Sequence, residues 1–186
     1  MAQAEMLKFL TTRRSVLARN MTAPGPSGDE LRVLLEIAMR VPDHGKIAPW
    51  KFVILEDDDR TALGAIAAEA LGDEEAAAQF TRAPVVVAVL ATPEAHPKVP
   101  RSEQVLSAGA ACMNLLVAAQ SQGFAAQWLT GPAAYEETVK AALGGGAGDE
   151  IAAFIYIGTA VEAPSERGRP AYEDVVQTGL IQSQKG

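Results

Sequence analysis

The sequence is poor in the residues from which proteins build their own reactive centres. It has one cysteine, Cys112, so no internal disulfide is possible. Cys112 lies in an apolar run, where a buried structural thiol is expected rather than a nucleophile. The only histidines are His44 and His96, and neither has a partner at metal-ligand spacing. No G-x-S-x-G elbow occurs, which removes the usual serine-hydrolase arrangement. Aromatic residues make up 5% of the chain, so Ala, Val, Leu and Ile must build most of the interior. A cationic surplus is also missing. The net charge of -7 argues against nonspecific nucleic-acid binding and against adhesion to an anionic membrane. The longest strongly apolar run, APVVVAVLA at 83–91, is too short to span a bilayer. The N-terminal MAQAEMLKFLTTRRSV lacks the apolar centre of a signal peptide. A soluble cytoplasmic protein is expected. Any enzyme made from this inventory would take its chemistry from a bound cofactor.

What is present reads as one domain over residues 1–186, a length that supports a real core. A short helix is expected at 4–13, with Met6, Phe9 and Leu10 on one side. Ser27 and Glu30 form an S-x-x-E capping box, which starts a helix that ends near Arg40 before Pro42. KFVILE (51–56) reads as a strand. DDDRTALGAIAAEAL reads as a helix with three acids at its favourable end, and DEEAAAQF as another short helix. APVVVAVLA is continuously apolar and reads as a buried central strand. A loop with three prolines leads to a long helix, 102–122, with Gly123 placed to cap it. That helix is apolar around its whole axis and must be covered on all sides; a second subunit is one source of cover. FAAQWLT (124–130) and IAAFIYIGT (151–159) are strands, YEETVKAAL is a helix, and an irregular tail follows Ala160. GGGAG at 144–148 follows a helix and precedes a strand, the reverse of a nucleotide fingerprint, and no G-K-[ST] is present. Helices and strands mix without strict alternation, so the fold class is α+β, with a sheet between helical layers.

The remaining signals are basic. Arg13-Arg14-Ser15 closes the first helix, Arg40 ends the second, and Arg167 and Arg169 lie in the tail. Each has a plain reading as a dipole complement or a solvated surface charge. The turn VPDHGKIAPW (41–50) is less easily dismissed. It carries His44, Lys46, two prolines and Trp50 where a few glycines would serve. Trp50 and Trp128 read as packing residues, and Thr130-Gly131 place free backbone amides at a strand end.

Taken together, RRSV, the segment AMRVPDHGKIAPWKFVI, the loop HPKVPRSEQVLSAG, QGFAAQWLTG, and IYIGT followed by a basic tail resemble the FMN-dependent nitroreductase family, specifically its short NAD(P)H nitroreductase subgroup. The order matches over nearly the whole chain. The resemblance implies a nitroreductase-like mixed or antiparallel sheet and a homodimer with FMN in clefts at the subunit interface. It implies that Arg13, Arg14 and Ser15 hold the ribityl phosphate and flavin edge. It assigns Arg40 and His44 to the flavin of the other subunit, Trp128, Leu129 and Thr130 to the isoalloxazine ring, and Arg167 and Arg169 to closure over the phosphate. Two positions depart from the pattern. Leu129 stands where the subgroup has Arg, so only backbone contact remains there. Ala48 stands where longer relatives have Gln. The implied reaction is ping-pong hydride transfer from NADH or NADPH to a nitroaromatic, quinone or similar small acceptor. No side chain is assigned as a catalytic acid or base, and no metal is expected. Two alternatives stay open: a flavin enzyme of the same fold that oxidises or dehalogenates a specific metabolite, and a non-catalytic flavin-binding protein.

Overall fold

The computed structural model describes residues 3–180. Its centre is strand β3 (Val85–Ala91), all seven residues of which are buried. A strand buried on both faces must pair on both edges, because an unpaired peptide group away from water is costly. β3 pairs with β2 (Trp50–Leu55) on one side and with β5 (Glu150–Ala160) on the other. β4 (Ala125–Leu129) adds to β5, and the two-residue β1 (Met21–Thr22) pairs with the far end of β5. Every pairing is antiparallel. The α+β expectation holds, and the sheet is antiparallel rather than mixed.

Alternation along β3 builds a core on each face. Val86, Ala88 and Leu90 join one cluster with Leu63, Phe80 and Phe154. Val85, Val87 and Val89 join another with Leu34, Cys112 and Leu115. The first cluster is covered by α3 (Asp57–Leu71), a 3-10 run Glu74–Arg82 and α5 (Glu137–Ala142). The second is covered by α2 (Gly28–Ala38) and α4 (Arg101–Ser121). Phe80 meets Phe154 edge to face, with centroids 4.9 Å apart, the geometry that the ring quadrupoles favour.

One irregularity bears on the site. Val89 lies opposite Ala153 and Leu90 opposite Ile151, so Ala152 is an extra residue in β5. Such a bulge reverses which face later side chains take. Ala153, Ile155 and Ile157 face the α2/α4 side, whereas Ile151 faces the other. It also frees the Ala152 carbonyl, which accepts a hydrogen bond from Trp128 Nε1 at 3.2 Å.

The capping box forms: Glu30 N–H donates to Ser27 Oγ at 3.4 Å and Ser27 N–H donates to Glu30 Oε2 at 2.8 Å. Some boundaries differ from expectation. Helix α1 (Gln3–Thr12) stops before Arg13, because the next residues run extended beside β4, with Val16 N–H donating to the Ala126 carbonyl at 3.3 Å. The segment after α3 winds as a 3-10 run; its Ala77 backbone approaches Gly64 so closely that a Cβ there would collide with the Ala77 carbonyl. The helix expected from Tyr135 starts at Glu137, since Pro132–Tyr135 forms a 3-10 turn and Glu136 is extended. Trp50 is half-buried and belongs to neither core cluster, so it is not the core anchor expected.

Two parts of the chain lack cover. Helix α1 has no buried residue and leaves Met6, Leu7 and Leu10 exposed. The segment 160–180 is exposed throughout and contains a single helical turn, α6 (Tyr172–Val175), where an irregular tail was expected. Among the described residues no helix is long and apolar enough to cross a membrane.

Candidate functional site

Arg13, Arg14 and Ser15 follow directly on α1, and the tail folds back over them. A pocket of about 380 Å³ is lined by Arg13, Arg14, Ser15, Arg167 and Arg169 together with Gly168 and Pro170. A second hollow of about 330 Å³ shares Arg13 and Arg14 and extends to Phe9, Val16, Gln120 and Ala125. The structure therefore gathers five of the expected residues, from opposite ends of the chain, at one place. Their spacing is fixed from α4. Arg13 Nε donates to Gln120 Oε1 at 2.7 Å, and Gln120 Nε2 donates to the Arg14 carbonyl at 2.7 Å. Arg14 Nε donates to the Ser165 carbonyl at 3.2 Å and lies 3.8 Å from Glu166. Partial burial, then the charges of Arg169 and Arg14, hold the Arg13 guanidinium below its ordinary pKa. Cations set this close repel one another, and an anion between them relieves that repulsion.

Trp128 and Leu129 end the strand that starts beside this pocket, and Thr130, expected within it, follows just outside. β4 has five residues, which span about 17 Å. Ala125 lines the arginine hollow, and Trp128 lies near the other end. Trp128 is 37% exposed and is held by its bond to Ala152. Leu129 packs its side chain against the core, so only its backbone is free to meet a ligand. The strand thus joins a cationic end to an aromatic end.

Arg40 and His44 are elsewhere. They follow α2, and the turn that carries them is strained. Gly45, Lys46 and Ala48 all have positive φ, at 77°, 57° and 53°, and for a residue with a Cβ the left-handed region costs about 1–2 kcal/mol. Asp43 supports this bend: its carboxylate accepts from Ile47 N–H at 3.1 Å and from Ala48 N–H at 2.9 Å. Polar residues of α4 hold the rest. Ser107 Oγ donates to the Pro42 carbonyl at 2.6 Å, Asn114 Nδ2 to the Ile37 carbonyl at 2.6 Å, and Glu103 Oε2 lies 2.7 Å from His44 Nδ1. Pro42, His44, Glu103, Leu106 and Ser107 line a hollow of about 320 Å³.

His44 and Arg13 sit at opposite ends of one helix, with Arg40 between them, its carbonyl 3.4 Å from Asn114 Nδ2. Glu103 marks the His44 end of α4 and Gln120 the Arg13 end, and the intervening residues rise about 25 Å. A single chain therefore does not bring His44 to the arginine pocket, and Arg40 lines neither arginine hollow. Along the face between them runs Leu106, Ala110, Met113 and Val117, an i, i+4, i+7, i+11 stripe of apolar side chains. Leu106 is 72% exposed and Met113 40%. This stripe is the side of α4 that neither the sheet nor α2 covers.

Sequence reasoning did not assign Gln120, Glu103, Ser107 or Asn114 any part in the site. All four are polar residues in a largely apolar helix, and Ser107 is buried. That contrast was the available signal, because a buried polar side chain requires a partner.

Fold and pocket define a class: a layered α+β protein with an arginine-walled recess for an anionic group. A model described as "Nitroreductase family" matches residues 10–159. "Putative NAD(P)H nitroreductase YdjA" of Escherichia coli (strain K12) is 36% identical over 163 residues, covering 83% of this chain and 88% of that protein. A protein of the same description without the YdjA name, from Haemophilus influenzae, is 37% identical over 167 residues, covering 85% and 90%. Among solved structures, a nitroreductase-like family protein from Bacillus cereus superposes with a TM-score of 0.81 at 22% identity, covering 93% of this chain and 95% of that one. An FMN-dependent nitroreductase from Clostridium difficile gives 0.72 at 17% identity, covering 94% and 100%. These two show the shared fold. The chain belongs to the nitroreductase family, a family of oxidoreductases.

Proposed function

We propose that residues 1–186 act as a single FMN-binding domain that works as a homodimer and passes electrons from NADH or NADPH to a nitroaromatic, quinone or similar small acceptor. The observation that carries this reading is the meeting of Arg13, Arg14, Ser15, Arg167 and Arg169 in one pocket. A phosphate monoester brings a charge of about -2, and an acidic protein has to offset it locally. Guanidinium groups suit the task because their planar forks bind phosphate oxygens in pairs. The donor set therefore fits the phosphate of FMN. Trp128 and the Leu129–Thr130 backbone would take the ring at the far end of β4.

A homodimer suits the same geometry. Two copies that pack α4 against α4 in antiparallel fashion, along Leu106, Ala110, Met113 and Val117, would bury the exposed stripe and satisfy two-fold symmetry. Each His44 end would then meet the partner's Arg13 end. Arg40 and His44 would reach a flavin held by the other chain, as the family resemblance implies. Exposed α1 and the 160–180 tail supply further surface for the contact.

FMN, when bound, supplies the two-electron chemistry. The chain's own residues bind and orient. Arg13 and Arg14 are fixed by Gln120 before any ligand arrives, so little ordering is needed on binding. One open cleft would serve donor and acceptor in turn, which gives ping-pong kinetics.

The test is optical. Purified protein is expected to be yellow, to bleach when NADH or NADPH is added without oxygen, and to regain colour with a quinone or nitroaromatic. Colourless protein that takes up no added FMN would contradict the reading. Lasting colour with no response to either nucleotide would contradict the reductase part of it.

A further inference from the structure

His44 and Glu103 make a charge-assisted contact that nothing in the binding reading requires. We infer that this pair is a proton-delivering dyad for the acceptor half-reaction, with His44 as the catalytic acid and Glu103 as the residue that positions it. The inference rests on the proposed dimer, which brings the His44 hollow over a neighbour's flavin.

Geometry supports a directed role. Glu103 Oε2 lies 2.7 Å from His44 Nδ1. An ionised carboxylate only accepts hydrogen bonds, so Nδ1 carries the hydrogen in this contact. That fixes the tautomer and leaves Nε2 as the working nitrogen. Other groups are otherwise engaged. Asp43, next to His44, has both carboxylate oxygens committed to backbone N–H groups of its own turn. Arg101, on the same turn of α4 as Glu103, is paired with Glu150. Lys46 remains on the same strained turn and is a donor only. Ser107, in the same hollow, donates to the Pro42 carbonyl. The strained turn and the α4 contacts hold the imidazole at a cleft, which is the arrangement expected of a group kept for reaction rather than for packing. Leu106, also lining the hollow, supplies an apolar wall.

The stoichiometry leaves one proton for such a group to relay. Reduction of a quinone to a hydroquinone takes two electrons and two protons. The nicotinamide donor contributes two electrons and one proton as hydride, and the second proton comes from solvent. In the proposed step the Nε2–H bond of protonated His44 breaks as an O–H bond forms at the acceptor oxygen. Water then returns a proton to Nε2, and the balance is NAD(P)H + H⁺ + quinone giving NAD(P)⁺ + hydroquinone. Reduction of a nitro group to a nitroso group, with loss of water, uses the same proton source.

The second histidine is an internal control. His96 Nδ1 accepts from the backbone N–H groups of Lys98 and Val99 at 3.2 and 3.1 Å. Its hydrogen is therefore on Nε2, the opposite tautomer. Nitrogen-15 NMR of the flavin-loaded protein, recorded at a pH where the imidazoles are neutral, is expected to show opposite tautomers for the two, with H44N identifying one of them. E103A should return His44 to the Nε2–H form and leave His96 unchanged, and E103D should keep the Nδ1–H form. In steady-state assays the ratio of the quinone rate to the rate with ferricyanide, a one-electron acceptor that takes up no proton in this step, should fall about tenfold in E103A and recover in E103D. An Nε2–H tautomer of His44 in the unmodified protein, or an unaltered ratio in E103A, would overturn the inference. Because yellow colour and bleaching are scored separately, that result would leave the flavin reading standing, whereas a colourless protein would defeat both.

Discussion

Cys112 illustrates how a single side chain is read by its surroundings. It is fully buried between α2, α4 and the sheet, and burial pushes its thiol up to about 12. The reactive species is the thiolate, so at pH 8 the residue stays neutral and inert. A thiol-specific disulfide reagent at pH 8 is expected to leave the folded protein unmodified and to take up one equivalent after denaturation. Rapid labelling of the folded chain would contradict this placement. The same residue-by-residue reading had limits at the site. The expected roles of Arg13, Arg14 and Ser15 came from the family resemblance, and their convergence with Arg167 and Arg169 required tertiary structure. Gln120 lies in AAQSQG (118–123), which reads from sequence simply as a helix end. Only its two bonds to the arginine segment distinguish it.

Elements set by local chemistry were the most readable. The capping box of α2 is an i, i+3 relation, and it forms as the S-x-x-E spacing dictates. It also has a pH signature. The Ser27 backbone N–H, and then the Ser27 hydroxyl, hold the Glu30 carboxyl below its ordinary value, with burial opposing weakly. A carboxyl with a folded pKa below its unfolded one contributes stability above the unfolded value and loses it as pH falls through the folded one. E30Q should therefore melt below the unmodified protein at pH 7, and the gap should close as the pH drops past the carboxylate range. A gap that is constant with pH would mean that the charged cap contributes nothing. Elements set by distant contacts were harder to read. The bulge at Ala152 depends on how β5 meets β3, and the 3-10 winding after α3 depends on the close approach to Gly64. No local propensity encodes either. The strain in the 44–48 turn was legible only in part: the prolines and His44 marked it as unusual, but positive φ at Lys46 and Ala48 has no sequence signature.

At the scale of the molecule, α4 is the organising element. Its buried side forms a core with α2 and the sheet, its polar residues hold both halves of the candidate site, and its remaining apolar stripe is uncovered. The sequence showed that this helix is apolar all round. It did not show which face stays bare, because that depends on where α2 and the strands pack. The separation of the two half-sites along α4 is what makes a two-chain site the central claim. That claim is tested most directly by pairing two defective chains, one carrying R13A and R14A and the other R40A and H44A. Each homodimer has both sites broken, whereas a tagged and purified heterodimer has one site with both halves intact. The account predicts that the heterodimer binds one FMN per dimer with the affinity of the unmodified protein, while each homodimer binds far more weakly. A heterodimer whose FMN binding is as weak as that of both parents would contradict it.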